Sequence, residues 1–166
     1  MTQNRPPSWR SFRLPNRIPL RQRFTLSLSL FVIVRDADRV LPLRRASTGW
    51  KDGFHSLPAG AHDGNEPLAD AAARELREET GLVARPDDLR LVHLLHCAPS
   101  EGNGEWLGAF FLADAWSGTP TLAEPDKHDD IGWHPLDDLP ATLIDYTRQG
   151  IELGLRGVPN SHYGWP

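Results

Sequence analysis

The sequence contains very little cysteine and no long apolar run. Cys97 is the single cysteine among 166 residues, which excludes an intrachain disulfide and offers no zinc-ligand spacing. Because an unpaired cysteine is so often internal, we predict that Cys97 is buried and takes no part in the chemistry. No apolar stretch approaches the roughly 18 residues that a transmembrane helix needs, so we expect no membrane partner.

Basic residues are scarce outside the N-terminal segment. The formal net charge is −4, and the first 23 residues carry six arginines and no acid, which leaves −10 for the remainder. A body of this charge presents no basic patch for a nucleic-acid polymer. Residues 1–22 combine arginines with four prolines, a composition that cannot bury enough surface to order itself, so we predict a flexible arm.

An apolar run at residues 26–34 follows this basic arm, as it would in a secretory signal peptide. The run alternates leucine with serine, however, and ends at Arg35-Asp36 without a small-residue cleavage site. We therefore interpret it as a strand and expect a cytoplasmic protein. The chain is long enough for one domain with one core, predicted over residues 23–158 with a C-terminal tail at 159–166.

The most informative segment is a predicted helix over residues 68–80. Pro67 suits a first helical position, and Gly81 is a natural left-handed stop. At 100° per residue, the side chains that share one arc of roughly 120° are those of Leu68, Ala71, Ala72, Glu75, Glu78 and Glu79. The glutamates therefore lie on the small, apolar side of the helix, whereas an ordinary surface helix turns its acids toward solvent.

Such a cluster of acids needs a positive partner. At about 5.5 Å and an effective dielectric near 20, each ionised pair costs roughly 3 kcal/mol. Arg74 can hold one carboxylate but cannot neutralise all of them. A hard divalent cation such as Mg²⁺, which takes carboxylates, waters and substrate phosphates, is the simplest remaining partner. The alternative is a solvated acidic helix stabilised by pairs of charges four residues apart.

Residues 60–82 also follow a longer pattern: Gly, five residues, Glu, seven residues, then Arg-Glu-apolar-x-Glu-Glu-x-Gly-apolar. This pattern resembles the Nudix box at every specified position, and a chance match is on the order of one in ten million. Leu57-Pro58-Ala59 resembles the usual lead-in, with Ala59 where a second glycine is common. The resemblance to Nudix hydrolases extends over about residues 24–156.

The resemblance implies a hydrolase that cleaves pyrophosphate bonds with Mg²⁺, for which Mn²⁺ can substitute. The metal ligands that it implies are the carbonyl of Gly60 and the carboxylates of Glu75, Glu78 and Glu79. Arg74 would orient one of these carboxylates, and Glu66 would fix the loop before the helix. Glu75 or Glu78 would take the proton of the attacking water, with an acid from a distant loop as the alternative.

That distant acid has two candidates. Residues 124–130 contain four acids in seven residues, and Nudix proteins often complete the metal site, or supply the base, from such a loop. Glu124 is our first candidate and Asp126 the second. The alternative is a solvated acidic turn.

Substrate-binding residues are expected before the box. In Nudix proteins an arginine at the end of the second strand reaches substrate phosphates, which indicates Arg45 and, second, Arg44, unless both belong to a solvated strand end. In the following loop, Trp50 and Phe54 are candidates for stacking on a base, with core packing as the alternative. We interpret His55 and His62 as ordinary loop residues, since neither has ligand spacing.

The predicted fold is an α/β/α sandwich around a mixed sheet, the known Nudix architecture. Strands are predicted over residues 25–35, 39–45, 89–97, 106–116 and 131–134, and a closing helix over 142–155. We expect a monomer or homodimer that binds a small nucleotide or nucleotide derivative.

Three functions remain open on the sequence. The first is hydrolysis of nucleoside di- or triphosphates, as in MutT-like proteins. The second is an ADP-ribose or nucleotide-sugar pyrophosphatase, for which Pro99, 17 residues after Leu82, is a weak indication. The third is a nucleotide-binding sensor without turnover, against which the intact set of three box glutamates argues.

Overall fold

The computed structural model describes residues 23–100 and 103–166, so the predicted arm at residues 1–22 lies outside the described residues. The described chain forms strands, two α-helices and a 3₁₀ turn at Pro86–Asp88. The helices are α1 (Leu68–Thr80) and α2 (Asp145–Leu155). The strands are β1 (Ser27–Asp36), β2 (Arg39–Val40), β3 (Leu43–Arg45), β4 (His55–Ser56), β5 (Ala59–Ala61), β6 (Leu89–Cys97), β7 (Trp106–Ala113), β8 (His128–Ile131), β9 (His134–Pro135) and β10 (Asn160–Tyr163).

β1 is the central strand of the larger sheet, whose order is β10-β6-β7-β1-β2-β9, with β5 also paired to β1. It runs parallel to β7 along its length and antiparallel to β2 and β5. The sheet is therefore mixed, as predicted. A smaller sheet with the order β4-β3-β8 lies beside it.

The alternation of side chains along β1 builds two cores, one on each face of the sheet. Leu30 and Val32 pack with Leu76 of α1. Phe31 and Ile33 point the other way and pack in the cluster that contains Ile151 of α2. Because both faces of the sheet are covered by a helix, the predicted α/β/α sandwich is confirmed.

Helix α1 has the predicted bounds. Gly81 has a left-handed backbone (φ 72°), and its N–H donates to the carbonyl of Arg77 at 2.9 Å, which ends the helix. α2 begins three residues later than predicted and ends where predicted. Neither helix, nor any other in the described residues, is long and apolar enough to cross a membrane.

Three strand predictions need correction. Residues 39–45 form two strands rather than one, because the chain leaves the larger sheet around Pro42, which has no amide hydrogen, and enters the smaller one. The strand predicted at 131–134 is also two strands, and β8 already begins at His128, inside the segment predicted as an acidic loop. The strand predicted at 106–116 ends at Ala113.

The predicted C-terminal tail contributes to the sheet. β10 pairs in parallel with β6, from Asn160 opposite Leu94 to Tyr163 opposite Cys97. Its sequence, Asn-Ser-His-Tyr, has too few apolar residues for a strand signal, so the neighbouring β6 determines its conformation.

Candidate active site

The three box glutamates of α1 differ sharply in exposure. The Glu79 side chain is 9% exposed, that of Glu75 13% and that of Glu78 44%. The helix thus turns its acids inward only in part, with Glu79 deepest. Burial raises the pKa of Glu79 to about 8, and it also raises the pKa of Glu75.

One backbone hydrogen bond positions Glu79. The N–H of Ala59 donates to Glu79 Oε2 at 2.9 Å and thereby joins β5 to the last turn of α1. Within residues 23–100 and 103–166, no lysine or arginine lies within salt-bridge distance of Glu79. Glu79 is therefore a buried carboxylate that no lysine or arginine of the described residues contacts directly.

Arg74 holds the remaining acids of the box together. Its guanidinium donates to Glu66 at 2.9 Å, to Glu75 at 2.6 Å and to Glu78 at 3.2 Å. The prediction that it holds one carboxylate was thus too narrow, because a planar fork of five N–H donors can reach several acceptors. These contacts raise the pKa of Arg74, and the Arg74 hydrogen bond lowers the pKa of Glu66.

Gly60 lies directly against the Glu75 carboxylate. A Cβ added at Gly60 would come within 2.1 to 2.3 Å of the carboxylate atoms of Glu75, closer than any side chain permits. β5 carries this glycine and pairs with β1, with Gly60 opposite Leu30. The first glycine of the box therefore lets the backbone lie against the Glu75 carboxylate in the position where Arg74 holds it.

A distant segment brings a fourth acid to the end of α1. The N–H groups of Thr121 and Ala123 donate to the carbonyls of Thr80 and Glu79, at 2.9 and 3.2 Å. This backbone clasp sets Glu124 beside Glu79. Ligand atoms of Glu79, Glu124 and His128 all lie within 4.8 Å of one another. Of the two predicted loop acids, the structure brings Glu124 to the box, whereas Asp126 is exposed and outside this group.

His128 is the site residue that the sequence reasoning missed. It is 4% exposed, and its Nε2 lies 3.9 Å from Glu79 Oε1. The N–H of His128 donates to the carbonyl of Glu124 at 3.1 Å, so one turn of chain puts both side chains on the same side. The spacing of four residues from Glu124 was the available signal, but the segment resembled a solvated acidic loop.

These residues fit a divalent cation. Carboxylates from two separate segments converge, and Glu79 is buried with its pKa raised to about 8, so its charged form is poorly compensated by the protein. Oxygen ligands of this kind, with room for water, are what Mg²⁺ takes. A bound cation would favour the charged form of Glu79 and offset the repulsion among the acids.

A cleft of about 1010 Å³ opens from Gly60, and Arg45, Trp50 and Phe54 line it. Trp50 and Phe54 are 45% and 39% exposed, so core packing, the alternative for both, is excluded. Other aromatic rings in the lining are those of Phe31, Trp106, Tyr146 and Tyr163.

The two candidate arginines have different partners. Arg45 donates from Nε to the carbonyl of Trp50 and from Nη2 to the hydroxyl of Thr48, both at 3.0 Å, and its guanidinium lies 4.9 Å from the Trp50 ring. Arg44 instead donates to Asp129 at 2.7 Å and is absent from the cleft lining. The structure therefore brings Arg45, and not Arg44, to the cleft.

Three side chains outside the predicted site are structural. His55 belongs to β4 rather than to a loop, and its buried ring bonds the Thr142 hydroxyl at 2.7 Å. His62 lies in the loop before α1, as predicted, and contacts the carbonyl of Glu66 at 2.9 Å. Cys97 is buried, as predicted, and burial raises its pKa to about 12.

The sequence matches the NUDIX domain family over residues 25–152. This chain belongs to the NUDIX family. The matched region contains the Nudix box, the glutamate cluster and the Glu124 segment.

Known NUDIX proteins resemble the chain in sequence and fold. A MutT NUDIX hydrolase from Burkholderia pseudomallei is 30% identical, with a TM-score of 0.71 over 78% of this chain and 98% of that one. The 8-oxo-dGDP phosphatase NUDT18 of Homo sapiens is 30% identical over 69% of this chain but only 33% of its own length. The ADP-ribose pyrophosphatase of Methanocaldococcus jannaschii is 25% identical over 70% of this chain and 66% of its own.

Proposed function

We propose that this NUDIX chain is a Mg²⁺-dependent hydrolase that cleaves the pyrophosphate bond of a nucleoside di- or triphosphate. The observation that carries the proposal is the convergence of Glu79 and Glu124 at the end of α1. Arg45 links this cluster to the cleft, because it lines the cleft and is the strand partner of His128. A small-molecule nucleotide could thus extend from the acids into the cleft.

The cation would be held by the Gly60 carbonyl and by the carboxylates of Glu75, Glu78, Glu79 and Glu124. When bound, it supplies neutralisation of the phosphate oxygens and a lowered pKa for water. Mn²⁺ would substitute for Mg²⁺, since both accept oxygen ligands in octahedral geometry.

The protein side chains would orient the carboxylates, bind a phosphate and accept a proton. Arg74, which contacts Glu66, Glu75 and Glu78, keeps these carboxylates oriented before substrate arrives. Arg45 would donate its remaining N–H groups to a phosphate. Glu75 or Glu78 would accept the proton of the attacking water, and the 44% exposure of Glu78 leaves it accessible to solvent.

The aromatic lining supports a nucleobase as the bound group. Trp50 and Phe54 present exposed rings at the cleft, and stacking on such rings is worth about 1–3 kcal/mol per base. The name of the human relative, 8-oxo-dGDP phosphatase, agrees with a nucleotide substrate.

A second candidate substrate is ADP-ribose or a nucleotide sugar. The cleft of about 1010 Å³ is at the upper end of the usual range for small-molecule sites, which leaves room for a second sugar. Pro99 lines this cleft, and one relative is named an ADP-ribose pyrophosphatase.

A substrate panel tests the proposal. The chain would be incubated with Mg²⁺ and canonical or oxidised nucleoside di- and triphosphates, ADP-ribose, dinucleoside polyphosphates and nucleotide sugars, with product analysis. Fastest turnover of a nucleoside di- or triphosphate is expected. Fastest turnover of ADP-ribose would select the second candidate, and tight binding without any turnover would indicate a sensor.

The variant Glu79→Gln tests the role of the acid cluster. Turnover should fall by roughly a thousandfold or more, because a buried amide cannot balance a divalent cation. Glu152→Gln, on the exposed side of α2, is the matched control and should keep wild-type activity. Circular dichroism would establish that both variants are folded. An active Glu79→Gln enzyme with unchanged Mg²⁺ dependence would refute the assignment.

A further inference from the structure

His128 is a buried imidazole that faces the acid cluster without forming a hydrogen bond. Its Nε2 is 3.9 Å from Glu79 Oε1, too far for a hydrogen bond. Its Nδ1 is fully buried and has no partner among residues 23–100 and 103–166. The unpartnered buried atom is therefore Nδ1, whereas the atom that faces the acid cluster is Nε2.

The backbone holds His128 in place from two sides. In β8 it pairs with Arg45 of β3, at the register shift between Arg44 and Arg45. Its N–H also bonds the Glu124 carbonyl. The ring is therefore oriented toward Glu79 by the same segment that delivers Glu124.

A metal ion at this position would meet the carboxylates of Glu79 and Glu124, and Glu124 already binds the ammonium of Lys127 at 2.8 Å. A neutral imidazole has one ring nitrogen with a lone pair to donate, and Nε2 of His128 is the nitrogen that faces Glu79. The group that it faces, Glu79, has no lysine or arginine within salt-bridge distance in the described chain. A metal ion between the two would engage both groups.

We propose that His128 supplies a nitrogen ligand to the metal site formed with Glu79 and Glu124. This inference rests on the proposed function for the existence of the site, and it adds a ligand outside the box. Imidazole suits late divalent ions such as Co²⁺, Ni²⁺ and Zn²⁺, whereas an all-oxygen site suits Mg²⁺. The chain should therefore bind Co²⁺ more tightly than its carboxylates alone would allow.

Pulsed electron paramagnetic resonance of Mn²⁺ bound to the full chain tests this directly, since it detects nitrogen coordinated to the ion. Wild-type protein should show a nitrogen coupling that changes isotope pattern when histidine is labelled with ¹⁵N. The coupling should vanish in His128→Gln and persist in His162→Gln, a control on the exposed side of β10. If His128→Gln does not fold, ¹⁵N labelling of histidine in the wild-type protein still tests whether a histidine nitrogen binds the ion.

Metal titration without substrate gives a second readout. His128→Gln should lose roughly tenfold or more in affinity for Co²⁺ and much less for Mg²⁺. Bound Mn²⁺ without histidine coupling would overturn the inference, while turnover with Mg²⁺ would leave the proposed function standing. Histidine coupling to bound Mn²⁺ without turnover of any substrate would overturn the proposed function and leave the inference about His128 standing. Failure of wild-type protein to bind Mn²⁺ would overturn both.

Discussion

Two regions of the candidate site, the acid cluster (the acid end) and the cleft lined by aromatic rings (the aromatic end), are built in different ways. At the acid end, one helix supplies Glu75, Glu78 and Glu79, and Arg74 on the same helix contacts two of them. At the aromatic end, the rings come from β1, the loop after β3, β7, α2 and β10. The residues proposed for cleavage thus come mainly from one local motif, whereas the surface that would select a substrate is assembled from segments far apart in the sequence.

Among the variants that distinguish the two ends, Gly60→Ala is expected to have the largest effect. The added methyl would overlap the Glu75 carboxylate and displace it from Arg74. We expect kcat/KM to fall by roughly a hundredfold, measured by steady-state kinetics. Gly132→Ala is the control, because its Cβ would meet its nearest atom at 3.9 Å. Equal activity of the two variants would show that displacement of the Glu75 carboxylate does not impair the reaction.

Arg45→Ala tests the junction between the two ends. If the Arg45 guanidinium binds a substrate phosphate, its loss should raise KM by roughly tenfold or more, with a smaller change in kcat. Arg44→Ala, which removes a partner of exposed Asp129 instead, should change KM less than about twofold. Equal effects at both positions would contradict the distinction that the structure draws between them.

Trp50→Ala probes the aromatic end. If Trp50 stacks on a base, KM for a nucleotide should rise roughly fivefold or more, while KM for a diphosphate ester without a base should not change. The ring is 45% exposed, so melting temperature should stay nearly constant. Phe54→Ala offers a matched comparison on the same loop. A uniform change in KM for all substrates would argue against stacking.

The buried charge at the acid end predicts a smaller effect, on stability. In the absence of metal, the pKa of Glu79 is raised to about 8, so folded protein retains a proton that unfolded protein releases above its ordinary pKa. Stability from this group is full below the unfolded pKa and is lost as pH rises through about 8. In EDTA at pH 9, the melting temperature of Glu79→Gln should therefore be roughly 5 °C above that of wild type. This shift corresponds to a free energy of unfolding that is larger by about 2 kcal/mol. At pH 4 the two melting temperatures should be equal. An equal difference in melting temperature at pH 4 and pH 9 would show that the titration of Glu79 does not cause it.

The sequence predicts the helix of the acid end because the signals for that helix are local. Helix caps, the periodicity of the glutamates and the box spacing all lie within residues 60–82, and α1 has the predicted bounds. Tertiary contacts decide the rest. The strand β10 depends on pairing with β6, and the choice between Arg44 and Arg45 depends on an irregular register between β3 and β8. His128 was missed because its burial follows from that same pairing.

The backbone clasp at residues 121–123 also bears on how such a site can change during evolution. Its two hydrogen bonds join main-chain atoms of Thr121 and Ala123 to the end of α1. Substitutions at these positions preserve the donors, unless proline is introduced, so drift in the local sequence need not detach Glu124. The length of the turn before the clasp is likewise unconstrained by these bonds. Glu124 can thus keep its position beside Glu79 even after the residues around it have changed too much to be aligned.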